Sequence, residues 1–559
     1  MFGFIKTIIR IQAILPDSYK NTSKYFFGLS LLLLVLDVFS IFLLIPLIIS
    51  LLNQGENISF LFLDYFNDYK LILVVVVILF FLVKNYIAIK INKYQAKVAY
   101  NLSSEYSLSL SKYYMLGNYL TFKKQKKSSI IKEIIFVAND FVVNVLLSVN
   151  TILSELILLI IILLFGFYFY FYITLIVVVI LGLIIFLSKL YNRKAIENIN
   201  KTRSADYENN ISNLVNLLNG FMSIKSPKLL NHFLDTFYES NKRLNYNYSL
   251  LHSKRVNSSK QTEIIMVIML GLIFTFIHLF SLKGSGAVVF LSIFGTLFFK
   301  AIPSVNKLNI GITNLHSHFY SLDIIEKKIV TISKITSNKT PLTYNSSIEL
   351  KNITFSYQEK VSLLSDINLT IKKGDFIAIN GVSGVGKTTL LNIISKLIDP
   401  SSGKILIDGI EVTNTNKYNY FSLITYLTQR PFIYEGTIFD NLLLNKKQYN
   451  QKKLSSILSS LDLLDTINLF PEKLNTFIGI EGSALSGGQL QRLSIARALM
   501  NNPEILILDE ATNNLDKATE NMVLNYLKIF TKETNTTIIS VSHNLEIKKE
   551  LFDTIINLD

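Results

Sequence analysis

Long apolar stretches dominate the first 305 residues of the chain, and a finer mixture of apolar and polar runs follows from Ser346. A membrane-spanning helix needs about 20 consecutive apolar residues, because each residue adds about 1.5 Å along the helix axis. Six stretches reach that length, at residues 25–52, 71–92, 141–168, 170–190, 262–282 and 285–305. We therefore predict an α-helical transmembrane domain with six spans over residues 1–330.

The pattern changes twice after the last apolar stretch. Residues 331–345 read TISKITSNKTPLTYN, which is polar, contains proline and lacks periodicity, as is typical of a linker. From residue 346 onward, short strand-like apolar runs alternate with helical patterns, which predicts an α/β domain over residues 346–559. The fold prediction is a six-span helical domain fused to an α/β domain.

The charged residues behind the net charge of +15 are distributed unevenly among the segments between the predicted spans. The segment 93–140 holds eight lysines and three acids, and the segment 191–261 holds eleven basic residues and five acids. Loop 53–70 has three acids and one lysine. By the positive-inside rule, the two long segments and both termini are cytoplasmic, so the charge reflects membrane orientation and does not indicate nucleic-acid binding. We expect no cleavable signal peptide, because the first apolar run is too long for one.

The chain contains no cysteine. Disulfides, thiol catalysis and cysteine-ligated zinc are therefore excluded. The same absence argues against a peptide exporter of the kind that carries a cysteine-protease domain.

Residues 381–388 read GVSGVGKT, directly after the apolar run Phe376–Ile379 and before a helical pattern. Glycines at this spacing let backbone N–H groups close on phosphate oxygens, while Lys387 supplies a positive charge for the β- and γ-phosphates. The hydroxyl of Thr388 is a ligand for Mg²⁺. We assign nucleotide contacts in this P-loop to Gly381, Ser383, Gly384, Gly386, Lys387, Thr388 and Thr389.

Two more strings follow the P-loop: LSGGQLQR from Leu485, and ILILDEAT over Ile505–Thr512. Together with the P-loop they resemble the ATP-binding cassette (ABC) superfamily. The resemblance implies that the α/β domain is a P-loop ATP-binding cassette, with ATP and Mg²⁺ as its cofactors and ATP hydrolysis as its reaction.

The resemblance also implies individual roles. Tyr357 matches the aromatic residue that stacks on adenine, and Asp509 would hold Mg²⁺ at the end of an apolar strand. Glu510 would orient or deprotonate the attacking water. Gln429 matches the glutamine that reaches Mg²⁺ and that water, and His543 matches the histidine that contacts the γ-phosphate. Glu510, His543 and Gln429 are therefore the catalytic candidates.

Ser486, Gly487 and Gly488 of the LSGGQ string open a helical pattern, and helix N-termini favour phosphate. In the superfamily this phosphate belongs to the nucleotide on the other cassette. One chain has one P-loop and one such string, so the resemblance implies a homodimer. Two positions depart from the usual pattern: Ile480 replaces an acidic residue, and Asn544 follows His543 where arginine is common.

The predicted helices of both cytoplasmic segments are interrupted near their middle, at Gly117-Asn118 and at Asn219-Gly220. Exporters of this superfamily place short coupling helices there, which touch the cassettes. An ordinary helix–turn–helix shares the same pattern, so both interpretations stay open.

Within ABC exporters, the membrane half resembles lipid-linked-oligosaccharide flippases of the PglK type. The similar strings are Asp37…Pro46, Leu153–Glu155, Lys300–Leu308 and Tyr320–Ile325. This resemblance implies a translocase for a polyprenyl-diphosphate-linked oligosaccharide in a bacterial inner membrane. The alternatives are an exporter of a bacteriocin-like peptide, of lipid A or of a drug. A membrane-anchored ATPase with a sensing or assembly role is the alternative of another class.

Four charged residues fall at one depth inside the predicted spans: Asp37, Lys84, Glu155 and Lys300. Charges at membrane depth are costly and usually functional. One interpretation is a set of ion pairs that holds the helices together. The other is a cavity in which Lys84 and Lys300, with Lys260 at its mouth, bind a pyrophosphate, since lysine is a point-charge ligand for phosphate.

Overall fold

The computed structural model describes the chain in segments. They are residues 2–52, 70–172, 174–175, 178–179, 202, 204–221, 223–279, 285–336, 342–357, 362–444, 448–479, 484–541 and 549–558. The chain divides into two compact units. The first, the helical unit, comprises Met1–Met115 and Lys123–Ile332, and the second, the α/β unit, comprises Leu116–Phe122 and Ser333–Asp559.

Long helices make up the N-terminal part of the chain. Their bounds are Phe2–Ile14, Asp17–Leu52, Lys70–Leu116, Tyr119–Lys124, Lys127–Lys132, Ala138–Asp140, Leu147–Phe169, Pro227–Leu279 and Ser285–Thr336. Two π-helical turns, Glu133–Val137 and Phe141–Leu146, join three of these into one helical run from Lys127 to Phe169. Residues 204–219 are also helical.

Among the described residues, four helices are long and apolar enough to cross a membrane: Asp17–Ile49, Leu71–Leu116, Lys127–Phe169 and Val288–Ile332. They overlap four of the predicted spans, 25–52, 71–92, 141–168 and 285–305. The predicted span 170–190 lies mostly outside the described residues. The predicted span 262–282 falls on the helix Pro227–Leu279, and residues 280–284 lie outside the described part.

These helices continue well beyond their apolar stretches. Leu71–Leu116 has 46 residues, which corresponds to about 70 Å, or roughly twice the hydrocarbon thickness of a bilayer. In its polar half, Tyr106 and Leu110 are buried and pack with Phe141 in one apolar cluster. Arg10 of the helix Phe2–Ile14 forms ion pairs with Asp323 and Glu326. These pairs fix the N-terminal helix to the helix Ser285–Thr336.

Nine strands form two sheets in the α/β unit. They are β1 Ser347–Phe355, β2 Leu364–Lys372, β3 Phe376–Asn380, β4 Ser402–Ile407, β5 Ile410–Glu411, β6 Ile424–Leu427, β7 Ile505–Leu508, β8 Thr537–Val541 and β9 Thr554–Asn557. The antiparallel sheet has the order β2-β1-β4-β5. The other sheet has the order β6-β7-β8-β3-β9, and its strands are parallel.

Helices connect these strands. Their bounds are Lys387–Ile394, Lys417–Leu423, Ile438–Leu443, Gln451–Ser460, Leu464–Leu469, Gly487–Met500 and Lys517–Thr534, with 3₁₀ turns at Lys473–Asn475 and Lys549–Leu551. The alternation of strand and helix produces the parallel sheet, because a parallel pair needs a crossover connection.

The parallel sheet is buried on both faces. In β3, Phe376 and Ala378 pack into one apolar cluster, while Ile377 and Ile379 pack into another. Successive strand side chains point to opposite faces, so a strand that is buried on both sides needs an unbroken apolar run. The core therefore lies on both sides of the strand that leads into the P-loop.

Candidate functional site

Strands of the parallel sheet end at one edge, where most of the predicted catalytic residues lie. The P-loop 381–388 follows β3, Asp509 follows β7, and Gln429 lies two residues after β6. His543 follows β8, but it lies outside the described residues. Ligands of open α/β sheets bind at the carboxyl ends of the strands, so this edge is the candidate nucleotide site.

The P-loop takes its shape from its glycines. Gly384 and Gly386 have φ of +88° and +112°, values that side-chain-bearing residues rarely adopt. Lys387 is buried and donates from Nζ to the carbonyl oxygens of Gly381 and Val382, at 2.8 and 3.0 Å. The helix Lys387–Ile394 begins here, while Ser383 and Gly384 are exposed. The loop thus has the form of a phosphate cradle closed by its own lysine.

Asp509 connects three elements at the sheet edge. Thr388 donates from Oγ1 to its Oδ1 over 2.9 Å, and Tyr426 donates its hydroxyl proton to Oδ2 over 3.0 Å. Burial raises the pKa of Asp509, and the two hydrogen bonds oppose that effect. Mg²⁺ binds proteins through a few oxygen ligands and takes the rest from phosphates and water, so Asp509 and Thr388 fit that ion.

Glu510 lies next to Asp509 with φ of +54°, a backbone conformation that is uncommon outside glycine. Its Oε2 accepts a hydrogen bond from Nδ2 of Asn513 over 2.9 Å. Gln429 is exposed, and its backbone carbonyl accepts from Nε2 of Gln491 at 3.3 Å. The Glu510 side chain and the Gln429 backbone are thus held near the site by local contacts.

Gln491 was not identified from the sequence. It is almost fully buried, and its Oε1 accepts from the backbone N–H of Asn514 over 3.2 Å. It therefore ties the helix Gly487–Met500 to the loops after β6 and β7. Its place in the string LSGGQLQR was the available signal.

Tyr357 is 55% exposed at the end of β1. Its ring lies edge-on to Phe355, with 4.9 Å between the ring centroids. Its hydroxyl hydrogen-bonds with Oγ1 of the buried Thr389 at 3.1 Å. The exposed ring beside the P-loop helix suits base stacking.

Ser486 caps the helix Gly487–Met500 in a capping box with Gln489. Ser486 and Gly487 are exposed, while Gly488 lies beside Leu515 and Asn514, which a Cβ at that position would meet at ordinary van der Waals distance. In the described part of the chain, Ser486 hydrogen-bonds with Gln489 and Leu490 of the same helix.

The first predicted coupling segment groups with the α/β unit. The backbone N–H of Tyr119 donates to the carbonyl of Leu397, and Asn118 Nδ2 lies 3.4 Å from an oxygen of Asp399. Tyr119 and Leu120 pack against the apolar cluster that contains Ile377. The second predicted segment forms a turn after Gly220 and groups with the helical unit.

The charged residues of the predicted spans form two ion-pair groups. Lys84 and Lys300 both donate to Oδ1 of Asp37, at 2.5 and 3.0 Å. Glu155 pairs with Lys307 at 2.8 Å, a partner that sequence reasoning missed. Lys260 lies on the helix Pro227–Leu279 and is exposed.

A polar cavity of about 450 Å³ lies beside these pairs in the helical unit. Its charged and amide lining residues are Asp37, Lys84, Asn85, Asn92, Gln95, Asn150, Glu155 and Lys307. Oε2 of the buried Glu155 has no hydrogen-bond partner. A polar cavity with an unsatisfied acceptor suits a ligand or water that donates hydrogen bonds.

Comparison with known proteins agrees with this geometry. Residues 364–513 match the family model described as ABC transporter. ATP-binding cassette sub-family B member 5 of Mus musculus is 36% identical over 229 residues, which are 41% of this chain and 18% of that protein. The lactococcin-G-processing and transport ATP-binding protein LagD of Lactococcus lactis subsp. lactis is 39% identical over 217 residues, 39% of this chain and 30% of that protein. The matched region thus spans less than a third of either relative.

A solved structure extends the likeness to almost the whole chain. A bacterial Atm1-family ABC exporter with ATP bound matches with a TM-score of 0.77 at 18% identity, over 95% of this chain and 92% of that one. The chain has the fold of an ABC exporter. The predicted fold class is confirmed as a helical N-terminal region followed by an α/β domain of the ABC transporter type, and the count of six spans stays a prediction.

Proposed function

We propose that this protein is an ATP-hydrolysing half-transporter that moves an amphiphilic molecule across a membrane. The observation that carries the proposal is the convergence of the P-loop, Asp509 and Glu510 at one edge of the parallel sheet, with Thr388 bonded to Asp509. The exporter fold supports a transport role for the helical unit.

In this proposal, the P-loop amides and Lys387 bind the phosphates of ATP, and Tyr357 stacks on its base. Thr388, Asp509 and Gln429 hold Mg²⁺, which neutralises charge on the phosphates when it is bound. Glu510 orients and deprotonates the attacking water, while His543 contacts the γ-phosphate. Catalysis then rests on positioning and on charge stabilisation, as expected for phosphoryl transfer.

Two chains form the active unit. The exposed N-terminus of the helix Gly487–Met500 offers backbone N–H groups to an anion, and the described contacts of Ser486 stay inside that helix. A second copy that presents its P-loop-bound nucleotide would satisfy these groups. We therefore propose a homodimer with two composite ATP sites.

The membrane is a bacterial plasma membrane, and both termini are cytoplasmic. Eleven basic residues in the segment 191–261 and eight lysines in 93–140 support this orientation through the positive-inside rule. The cassette of a relative from Lactococcus lactis is consistent with a bacterial setting. The substrate then leaves the cytoplasmic side.

The substrate is a polyprenyl-diphosphate-linked oligosaccharide. Two ammonium groups on one oxygen of Asp37 leave this cluster with a net positive charge, which suits a diphosphate. The adjacent cavity offers amide groups and an unsatisfied carboxylate oxygen to sugar hydroxyls. The strings Leu153–Glu155 and Lys300–Leu308, which resemble flippases of the PglK type, support the same substrate.

A peptide substrate is the second candidate, because one relative is named for processing and transport of lactococcin G. The absence of cysteine argues against a processing function of the cysteine-protease kind. An exporter of lipid A or of a drug would hydrolyse ATP at the same site. A sensing ATPase would also hydrolyse ATP there, but without transporting a substrate.

A stimulation assay separates these candidates. The ATPase rate of the protein in nanodiscs would be measured with a polyprenyl-diphosphate sugar, a bacteriocin-like peptide, lipid A and a hydrophobic drug. We expect the diphosphate sugar to stimulate, and the matched polyprenyl monophosphate to act less strongly. Stimulation by the peptide alone would favour the peptide exporter, and a rate that responds to none of them would favour the sensing role.

A further inference from the structure

Tyr426 lies at the carboxyl end of β6, where its hydroxyl reaches Asp509. The strands β6 and β7 pair in parallel with Tyr426 opposite Ile507 and Leu427 opposite Leu508. This register sets Tyr426 beside the residue that follows β7. Its hydroxyl donates to Oδ2 of Asp509 over 3.0 Å.

The two oxygens of Asp509 are held from two sides. Thr388 of the P-loop helix donates to Oδ1, and Tyr426 of the neighbouring strand donates to Oδ2. Asp509 is 8% exposed, so solvent has little access to it. A carboxylate with one fixed donor on each oxygen keeps a defined orientation, and outer partners of this kind tune metal ligands.

Tyr426 and Tyr119 of the segment 116–122 pack against the same apolar cluster. The backbone of Tyr119 is fixed in turn by the carbonyl of Leu397.

We infer that Tyr426 is a positioning residue that orients the Asp509 carboxylate for nucleotide-bound Mg²⁺ and links it to the coupling segment at Tyr119. The inference rests on the proposed ATPase function and goes beyond it. Movement of Tyr119 would shift the Tyr426 ring, and with it one of the two donors that orient Asp509. The segment 116–122 thereby gains a route to the metal site.

Tyr426→Phe removes the hydroxyl and keeps the ring. Tyr420→Phe is a matched control, because Tyr420 is fully buried in the same unit and donates to the carbonyl of Ile394 at 2.8 Å, away from Asp509. ATP affinity would be measured by equilibrium binding in EDTA and in Mg²⁺, and the Mg²⁺ dependence of ATPase would be titrated. Melting temperatures of both variants would show that they fold.

We expect Tyr426→Phe to raise the Mg²⁺ concentration for half-maximal ATPase about tenfold, the effect of one hydrogen bond to a charged group. Affinity for ATP in EDTA should stay within about twofold of the parent, while the gain in affinity on adding Mg²⁺ should shrink. A Mg²⁺ midpoint like that of Tyr420→Phe would overturn the positioning role. A parent that lacks Mg²⁺-dependent ATPase would instead reject the proposed function.

The link to Tyr119 has its own test. Tyr119→Ala and Tyr426→Phe would be combined, and the Mg²⁺ midpoints of the single and double variants compared. Coupled residues give non-additive effects, so the double variant should resemble Tyr426→Phe alone. Fully additive shifts would overturn the link and leave Tyr119 as a packing residue.

Discussion

The hydroxyl of Thr388 donates to Oδ1 of Asp509 over 2.9 Å, although 121 residues separate them in the chain. The strand order β7-β8-β3 brings the two positions to the same sheet edge. Thr388 belongs to the P-loop and Asp509 follows the strand ILIL, so this contact brings two of the proposed Mg²⁺ ligands together.

Glu510→Gln should preserve ATP binding and abolish turnover. The amide keeps the shape of the side chain and its contact with Asn513, but it removes the proposed base. The loss of a general base costs about 10²-fold or more in rate. Steady-state ATPase and nucleotide trapping in the purified dimer provide the measurement, and a variant that hydrolyses ATP at nearly the parent rate would refute the role of Glu510.

Mixed dimers test the composite sites. A Lys387→Ala chain paired with a Ser486→Arg chain carries both lesions in one composite site and leaves the other intact. We therefore expect one tightly bound nucleotide per dimer, measured by filter binding after tagged purification of the mixed species. If each chain formed its own site, each site would carry one lesion and tight binding would disappear from both.

The Asp37 cluster yields a test that separates substrate binding from helix packing. Removing both lysines would leave Asp37 as an uncompensated charge, which is itself destabilising. The neutral triple variant Lys84→Gln, Lys300→Gln, Asp37→Asn avoids that problem. We expect it to keep its melting temperature and basal ATPase, while the concentration of diphosphate sugar for half-maximal stimulation rises about tenfold or more.

The neutral pair Glu133→Gln, Lys328→Gln is the matched control for that variant, since it removes a part-buried ion pair of the helical unit that does not line the polar cavity. If the triple variant needs the same concentration of diphosphate sugar for half-maximal stimulation as the parent, the substrate-binding role is contradicted. Lys84 and Lys300 would then serve as structural ion-pair partners only.

The hydrogen bonds of Asp408 indicate that the stability of the folded α/β unit depends on pH. Its carboxylate accepts from the backbone N–H groups of Asn345, Ser346 and Ser347, at 2.6, 2.7 and 3.0 Å. Burial acts to raise the pKa of Asp408, but the backbone donors lower it below its ordinary value. The stabilisation is therefore present above the unfolded pKa of about 4 and is lost as the pH falls through the lower folded value.

Asp408→Asn should lower the melting temperature of the α/β unit in the full-length protein by about 2–4 °C at pH 7, for a loss of about 1 kcal/mol. Asparagine tolerates the positive φ of 47° at this position, so the backbone should not add strain. The difference between variant and parent should shrink below about pH 4. A difference that is constant with pH would contradict the ionic origin.

The sequence predicted the fold class because its signals are local. The run Phe376–Ile379 is apolar throughout, as a strand buried on both faces requires, and the glycines of the P-loop follow it directly. The length of the apolar stretches in the N-terminal part was by itself enough to predict long apolar helices. These features depend on neighbours in the chain and need no knowledge of tertiary contacts.

Contacts between distant elements could not be predicted. The bond from Tyr426 to Asp509 depends on the register of β6 against β7, which the pattern does not determine. The pairing of Glu155 with Lys307 depends on how two helices face each other, and the sequence suggested Lys84 or Lys300 as partners instead. Gln491 was missed because a buried polar residue in a helix has no distinctive spacing.

The most direct test of the account is ATP-driven translocation in proteoliposomes. A fluorescent short-chain polyprenyl-diphosphate sugar would be followed across the bilayer by its accessibility to a membrane-impermeant quencher, with the parent and Glu510→Gln compared. The account predicts movement that needs ATP and Mg²⁺, is lost in Glu510→Gln, and is much weaker for the matched monophosphate. Translocation that proceeds equally without ATP, or ATP hydrolysis that moves none of this lipid, would contradict it.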